Sequence, residues 1–163
     1  MACYNLAVPA LDIRRSALSS PDGSRLIAAL NAELKALYPE QGANHFSISE
    51  AQVRPGDGMF VVAYFNEKAV GCGAVRRIDE ATAELKRMYV DPSFRGQGIG
   101  RALVDALESE ARQLRVRRIV LETGTRQAQA IQLYESMGYK PIPLYDEYLE
   151  SPKTSLCFGK QLT

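Results

Sequence analysis

The run Asp91-Pro92-Ser93-Phe94-Arg95-Gly96-Gln97-Gly98-Ile99-Gly100-Arg101 joins a segment of strand character to one of helical character through three glycines at alternate positions. Glycine lets backbone approach a ligand closely. The first amides of the following helix have no carbonyl of their own to bond, and with the helix dipole they form a site for phosphate oxygens. Arg95 and Arg101 add charge-assisted donors. The spacing is not the G-x-G-x-x-G of a dinucleotide fold, and no Gly-Lys-Ser/Thr follows it, so two common phosphate motifs are set aside.

Upstream of this run, Met59 to Phe65, Ala69 to Ile78 and Ala83 to Val90 read as three strands. The short turns Asn66 to Lys68 and Asp79 to Thr82 predict an antiparallel meander. In the third strand Leu85 lies on the odd-numbered face while Met88 and Val90 lie on the even one. A slip of one residue in the alternation is what a bulge produces, and a bulge frees backbone groups for a ligand.

Downstream, Ile99, Leu103, Ala106, Leu107, Ala111 and Leu114 give the apolar stripe of a helix. Arg118 to Glu122 follows as a short buried strand, then a second helix over Gln127 to Met137 with Gly138 as its cap. Strand, helix, strand, helix implies a parallel pair with a crossover. Thr154 to Gly159 returns to strand character after a Tyr- and Pro-rich segment from Tyr139 to Pro152. Toward the N-terminus, Tyr4 to Val8 is expected as a first strand, and Leu26, Ile27, Leu30, Leu34 and Leu37 as one face of a helix ending before Pro39. The polar stretch Gln41 to Asp57 reads as a loop holding a short strand near Ile48 to Val53. Together these predict an α/β domain with a mixed, mostly antiparallel sheet flanked by helices.

With 163 residues, 46% of them hydrophobic, the chain is expected to form one domain over 1–163. Twenty basic against 19 acidic side chains leave a net charge of +1, so no overall field draws it to nucleic acid or to a membrane surface. Cys3, Cys72 and Cys157 are widely spaced and His45 is the sole histidine, which excludes a zinc-type ligand pattern and suggests reduced thiols in a cytoplasmic setting. No stretch resembles a signal peptide or a membrane span.

The motif R/Q-x-x-G-x-G/A, matched by Arg95, Gly98 and Gly100, is similar to the cofactor motif of the GCN5-related N-acetyltransferase (GNAT) superfamily. The context agrees, with Glu84-Leu85-Lys86-Arg87-Met88-Tyr89-Val90 before it and Leu133-Tyr134-Glu135-Ser136-Met137-Gly138-Tyr139 as the family's later helix. The resemblance implies the acyl-CoA N-acyltransferase fold, splayed at the central strand, and acetyl-CoA as acyl donor with no metal. It further implies that the backbone of Met88, Tyr89 and Val90 bonds the pantetheine arm. Arg95, Gly96, Gln97, Gly98, Ile99, Gly100 and Arg101 would hold the pyrophosphate.

An acceptor amine resembling lysine has a pKa of about 10.4 and must lose a proton before attacking a thioester. By resemblance Glu84, at the beginning of the central strand, is the candidate base, and Tyr134 the candidate acid that assists the departing sulfur and contacts the cofactor. A backbone amide near Met88 to Val90 would stabilise the developing oxyanion. Transfer is direct, in a ternary complex. Cys72 and Cys157 read as packing residues and His45 as ordinary surface. Asp146, Glu147 and Glu150 beside Tyr145 and Tyr148 are either a greeting for a cationic amine or a solvated charged loop, the second being favoured. A small-molecule amine is the expected acceptor, with a protein or peptide amine, or a non-catalytic acyl-CoA sensor, as alternatives. The resemblance also allows a homodimer.

Overall fold

In a computed structural model, which describes residues 10–40 and 47–163, the chain folds around a seven-stranded sheet. In chain order the elements are β1 (Leu11–Arg15), α1 (Pro21–Leu37), β2 (Gly58–Phe65), β3 (Lys68–Arg77), β4 (Thr82–Val90), α2 (Ile99–Gln113), β5 (Arg118–Gly124), α3 (Ala128–Ser136), β6 (Lys140–Ile142) and β7 (Ser155–Gln161). The strand order is β1-β2-β3-β4-β5-β7-β6. Neighbours are antiparallel except β4 and β5, the parallel pair joined by α2. The meander, the crossover and both downstream helices form where the sequence predicts them.

Each face of the sheet has its own apolar layer. On one side α2 sets Leu103, Leu107 and Ala111 against Val61, Val75, Leu85 and Leu121. On the other, Leu26 of α1 packs on Phe60, Val62, Cys72 and Ala74. Full burial of an aliphatic side chain is worth about 1.5–3 kcal/mol, so these stripes hold the helices to the sheet. α1 begins with Ser20, whose hydroxyl accepts from the Gly23 amide at 3.0 Å, and Pro21 in its first turn has no amide to leave unsatisfied.

The local structure differs from expectation at two places. The expected strand Tyr4 to Val8 lies outside the described residues. A strand unforeseen in the sequence, β1, pairs with β2. Only Ile13 of its five residues is half-buried, so it carries little of the alternation by which strands are recognised. Ile48 to Val53 does not form a strand: Glu50–Val53 is a 3₁₀ turn in which the Gln52 side chain accepts from the Ser49 amide at 2.9 Å. That reciprocal cap satisfies locally the groups a strand would need a neighbour for.

In the Tyr-rich segment the three acidic residues are exposed, as the solvated-loop reading expects, but the tyrosines are not. Tyr148 is buried, Tyr145 is half-buried and the Tyr145 and Tyr148 rings meet edge to face at 5.1 Å. The Asp146–Glu150 turn thus anchors on the sheet through Tyr148 while Asp146, Glu147 and Glu150 stay exposed.

Candidate active site

β4 and β5 pair only from Thr82 to Leu85 against Arg118 to Leu121, and beyond that point they part. The cause lies in β4. Cys72 opposes Tyr89 while Ala74 opposes Lys86, so three residues of β4 span what two of β3 span. Arg87, at φ +58°, takes up the extra residue. This is the bulge that the broken alternation predicts, and it turns the end of β4 away from β5. A cleft of about 1000 Å³ opens in the fork, lined by residues of α1, β4, β5, α3 and the start of α2.

At one end of the cleft stands the glycine loop. Gly96 and Gly98 adopt φ +78° and +82°, and a Cβ at either position would meet nothing within 4 Å. It would instead stand in open space beside the cleft. Ala102 makes the first amide bond back into α2, to the Gly98 carbonyl at 3.1 Å. The amides of Ile99, Gly100 and Arg101 are therefore beyond reach of the helix's own carbonyls and form an anion cradle. Arg95, Gly96, Gly98, Ile99, Gly100 and Arg101 all line the cleft, whereas the exposed Gln97 side chain does not. The arrangement fits a diphosphate.

Arg95 has a second task. Its Nε donates to the Val90 carbonyl at 2.8 Å and its Nη2 to Glu33 Oε2 at 2.8 Å, so it ties the end of β4 to α1. Arg101 donates from Nη2 to Ser136 Oγ at 3.0 Å. Met88, Tyr89 and Val90 line the cleft as expected. The Val90 carbonyl already accepts from Arg95, which leaves the other backbone groups of this stretch that face the fork for a ligand.

Tyr134 reaches the cleft from α3. It is buried and packs edge to face on Tyr139 at 5.8 Å. Burial, with the negative charge of Glu122 adding to it, holds its pKa above the ordinary 10. It therefore stays a hydrogen-bond donor at neutral pH.

Glu84 sits elsewhere. Its carboxylate has no exposed surface, accepts from Arg76 Nε at 2.8 Å and from the Tyr145 hydroxyl at 2.5 Å, and is not part of the cleft wall. Lys86 Nζ is 3.9 Å from it and 2.8 Å from Glu147 Oε1. Of the acidic residues proposed to greet a cation, Glu147 is thus engaged with Lys86, while Asp146 and Glu150 are exposed. Cys72 is fully buried, and desolvation pushes its thiol up to about 12. Cys157 is pushed up to about 11, in keeping with packing roles for both. His45 lies outside the described residues.

Two carboxylates do line the cleft: Glu33, which is paired with Arg95 near the glycine loop, and Glu122, on β5 one residue past the last pairing with β4. Burial raises the Glu122 pKa to about 7; a side-chain hydrogen bond with Ser155 opposes this, Glu84 and Glu147 add to it, and Lys86 counters. Its signal in the sequence is an acid closing the apolar run Ile119-Val120-Leu121. Arg126 was also unforeseen. Its amide donates to the Tyr38 hydroxyl at 2.9 Å, and its guanidinium bonds the Leu37 carbonyl at 2.7 Å and the Glu40 carboxylate. The end of α1 is thereby clasped to the β5–α3 loop across the cleft mouth.

Among the described residues no helix is long and apolar enough to cross a membrane, and no group of acidic, cysteine or histidine side chains has the arrangement of a metal site.

Comparison with known proteins agrees with this geometry. The model of the acetyltransferase (GNAT) family matches residues 24–139. The chain is 37% identical over 129 residues to an IAA acetyltransferase of Azospirillum brasilense, covering 78% of this chain and 83% of that one. It is 33% identical over 127 residues to a mycothiol acetyltransferase of Beutenbergia cavernae, covering 74% of this chain but only 42% of that longer relative. Among solved structures, a candidate acyl-CoA N-acyltransferase from Klebsiella pneumoniae superposes with a TM-score of 0.79 at 33% identity, over 94% of this chain and 98% of that one. An acetyltransferase from Streptococcus agalactiae gives 0.73 at 26% identity, over 93% and 98%. A bulged and forked central strand, a glycine-lined anion cradle and this family match lead to one conclusion: the chain belongs to the GNAT family of acetyltransferases.

Proposed function

We propose that residues 1–163 act as a single N-acetyltransferase domain that moves the acetyl group of acetyl-CoA directly to a primary amine of a small molecule. The observation that carries this reading is the continuity of the cleft. One wall runs from the anion cradle of α2, along the unpaired edge of β4, to Tyr134. The cradle would hold the pyrophosphate, the backbone of Met88 to Val90 the pantetheine arm, and the reacting groups would meet beside Tyr134. When bound, the cofactor supplies an activated acyl group.

The residues of this chain supply position and protons. Holding amine and thioester together in a fixed orientation accounts for much of the rate gain. An amide facing the fork between Met88 and Val90 is suited to stabilise the carbonyl oxygen as it gains charge. Tyr134 donates a hydrogen bond to the departing sulfur. A phenol of pKa about 10 facing a thiol of about 8.5 makes complete proton transfer uphill by roughly 2 kcal/mol even before burial. The proton that finally reaches sulfur is therefore best supplied as the nitrogen gives one up.

A small acceptor is favoured over a polypeptide by the clasp of Arg126 to the end of α1, since Arg126, Leu37 and Tyr38 all line the cleft and the clasp holds two of its walls together. The near-neutral charge of the chain supports work on a small cytoplasmic amine rather than on nucleic acid or at a membrane. The test is calorimetric binding of acetyl-CoA followed by thiol release across a panel of primary amines, amino acids and peptides. Binding with release dependent on a small amine is expected. Binding without release from any acceptor would favour an acyl-CoA sensor, and no binding by folded protein would overturn the reading.

A further inference from the structure

We infer that Glu122 takes the proton from the acceptor, and that the acceptor arrives as an alkylammonium ion. The inference rests on the acetyl-transfer reading above and deepens it. It moves the role of base away from Glu84, whose carboxylate is sealed beneath Arg76 and Tyr145 and does not reach the cleft.

Position comes first. Glu122 follows directly on Leu121, the last residue of β5 to pair with β4. Its side chain therefore stands at the crotch of the fork, in the same cleft that Tyr134 enters from α3. It shares a face of the sheet with Glu84 and Lys86: Val120 pairs with Glu84, and Glu122 lies two residues further along its strand. That is the face covered by α1, opposite the one on which α2 packs.

The surroundings suit a base. Within electrostatic reach of Glu122 are Tyr38 at the end of α1, Glu84 and Lys86 from β4, Glu147 and Tyr148 from the 146–150 turn, Tyr134 from α3 and Cys157 from β7, and Ser155 of β7 is hydrogen-bonded to it. Lys86 is the cation among them, and it is held by Glu147 at 2.8 Å. An ammonium ion entering beside Glu122 would meet a carboxylate whose cationic neighbour is already engaged. A group that binds its proton at about 7 instead of 4.5 also accepts one from an ammonium ion roughly 300-fold more favourably. About half of it remains ionised, and so able to act, at neutral pH.

The proton count closes. The acceptor R–NH₃⁺ gives one proton to the Glu122 carboxylate, and the nitrogen lone pair forms the C–N bond to the acetyl carbonyl carbon as the C–S bond breaks. The nitrogen then loses its second proton. Tyr134 passes a proton to the sulfur and is restored by that one, while Glu122 returns its own to water. The products are the amide, the free thiol and one H⁺. The two residues are coupled, because the charge on Glu122 helps to keep Tyr134 from giving up its proton. Neutralising Glu122 in the first step makes Tyr134 a better donor in the next.

The test has two arms. Carboxyl-¹³C NMR of glutamate-labelled protein, with the signal absent from Glu122→Gln assigned to Glu122, should show a midpoint near 7. A midpoint in the ordinary range near 4.3 would overturn the inference whatever the acceptor. In kinetics, Glu122→Gln should bind acetyl-CoA with unchanged affinity and lose about 100-fold in kcat/KM for alkylamines. It should also lose the rise of activity through pH 7, and lose far less with methoxyamine, which is already neutral at that pH. An equal loss with both acceptors would assign Glu122 a structural role and overturn the inference. If the unmodified chain fails to release thiol with every amine tried, the transferase reading fails, whereas a midpoint near 7 would still establish Glu122 as a group able to take up a proton at neutral pH.

Discussion

The Tyr38 hydroxyl lies 1.8 Å from the point that a Cβ on Gly124 would occupy. The last strand residue before the β5–α3 loop is thus a glycine because the end of α1 closes directly over it, with the Arg126 amide completing the contact.

Gly124→Ala is therefore expected to expel the Tyr38 ring and open the clasp, at a cost of roughly 1–3 kcal/mol. Thermal denaturation checks it. In a Tyr38→Ala background the same substitution should cost much less, since the remaining close atom, Gln127 Oε1 at 2.8 Å from that point, is the end of a flexible side chain; equal costs in both backgrounds would show that the Tyr38 contact is not the cause.

Gly98→Val places a branched side chain at φ +82° and in the open space beside the anion cradle. Strain alone should cost about 1–2 kcal/mol. The larger effect is expected on acetyl-CoA, with affinity falling by about tenfold or more, as read by calorimetry on protein confirmed folded by circular dichroism. Unchanged affinity would remove the loop from cofactor binding.

Tyr134→Phe removes a hydroxyl that makes no hydrogen bond among the described residues, so melting temperature and acetyl-CoA affinity should change little. Turnover should fall by about 10–100-fold. Full activity across the pH range would exclude Tyr134 from the chemistry.

Cys72 gives a pH dependence of known sign. Its pKa is raised from 9.0 to about 12 by desolvation, so the stability it contributes is complete below about 9 and is lost as pH rises toward 12. Chemical denaturation midpoints should fall over that window and fall less in Cys72→Ala. Iodoacetamide at pH 8 should leave Cys72 unlabelled until the protein unfolds; rapid labelling of native protein would contradict its burial.

The order of the central elements was legible in the sequence because it depends on short-range periodicity. The stripe of Leu103, Leu107 and Ala111, the alternation of β2 to β4 and the turns between them each repeat within a few residues. Even the bulge at Arg87 left a trace, in the slip between Leu85 and Met88. The glycine loop could be read for the same reason, since a cradle of successive amides is built from neighbours in the chain. Where exposure replaced periodicity, as in β1, or a local cap replaced pairing, as at Ser49 and Gln52, the trace was lost.

The sequence by itself determined an α/β acetyltransferase with an anion cradle at Gly96 to Arg101 and Tyr134 on its later helix. Only the tertiary structure decided which of Glu84 and Glu122 meets the cleft. Glu84 and Glu122 look alike in sequence, each an acid beside apolar strand residues. Arg76, Tyr145 and the Asp146–Glu150 turn converge to seal Glu84, while the parting of β4 from β5 leaves Glu122 at the opening. The contact of Tyr145 with Glu84 joins residues some 60 positions apart, and the environment that sets a carboxyl's proton affinity exists only once such contacts are made.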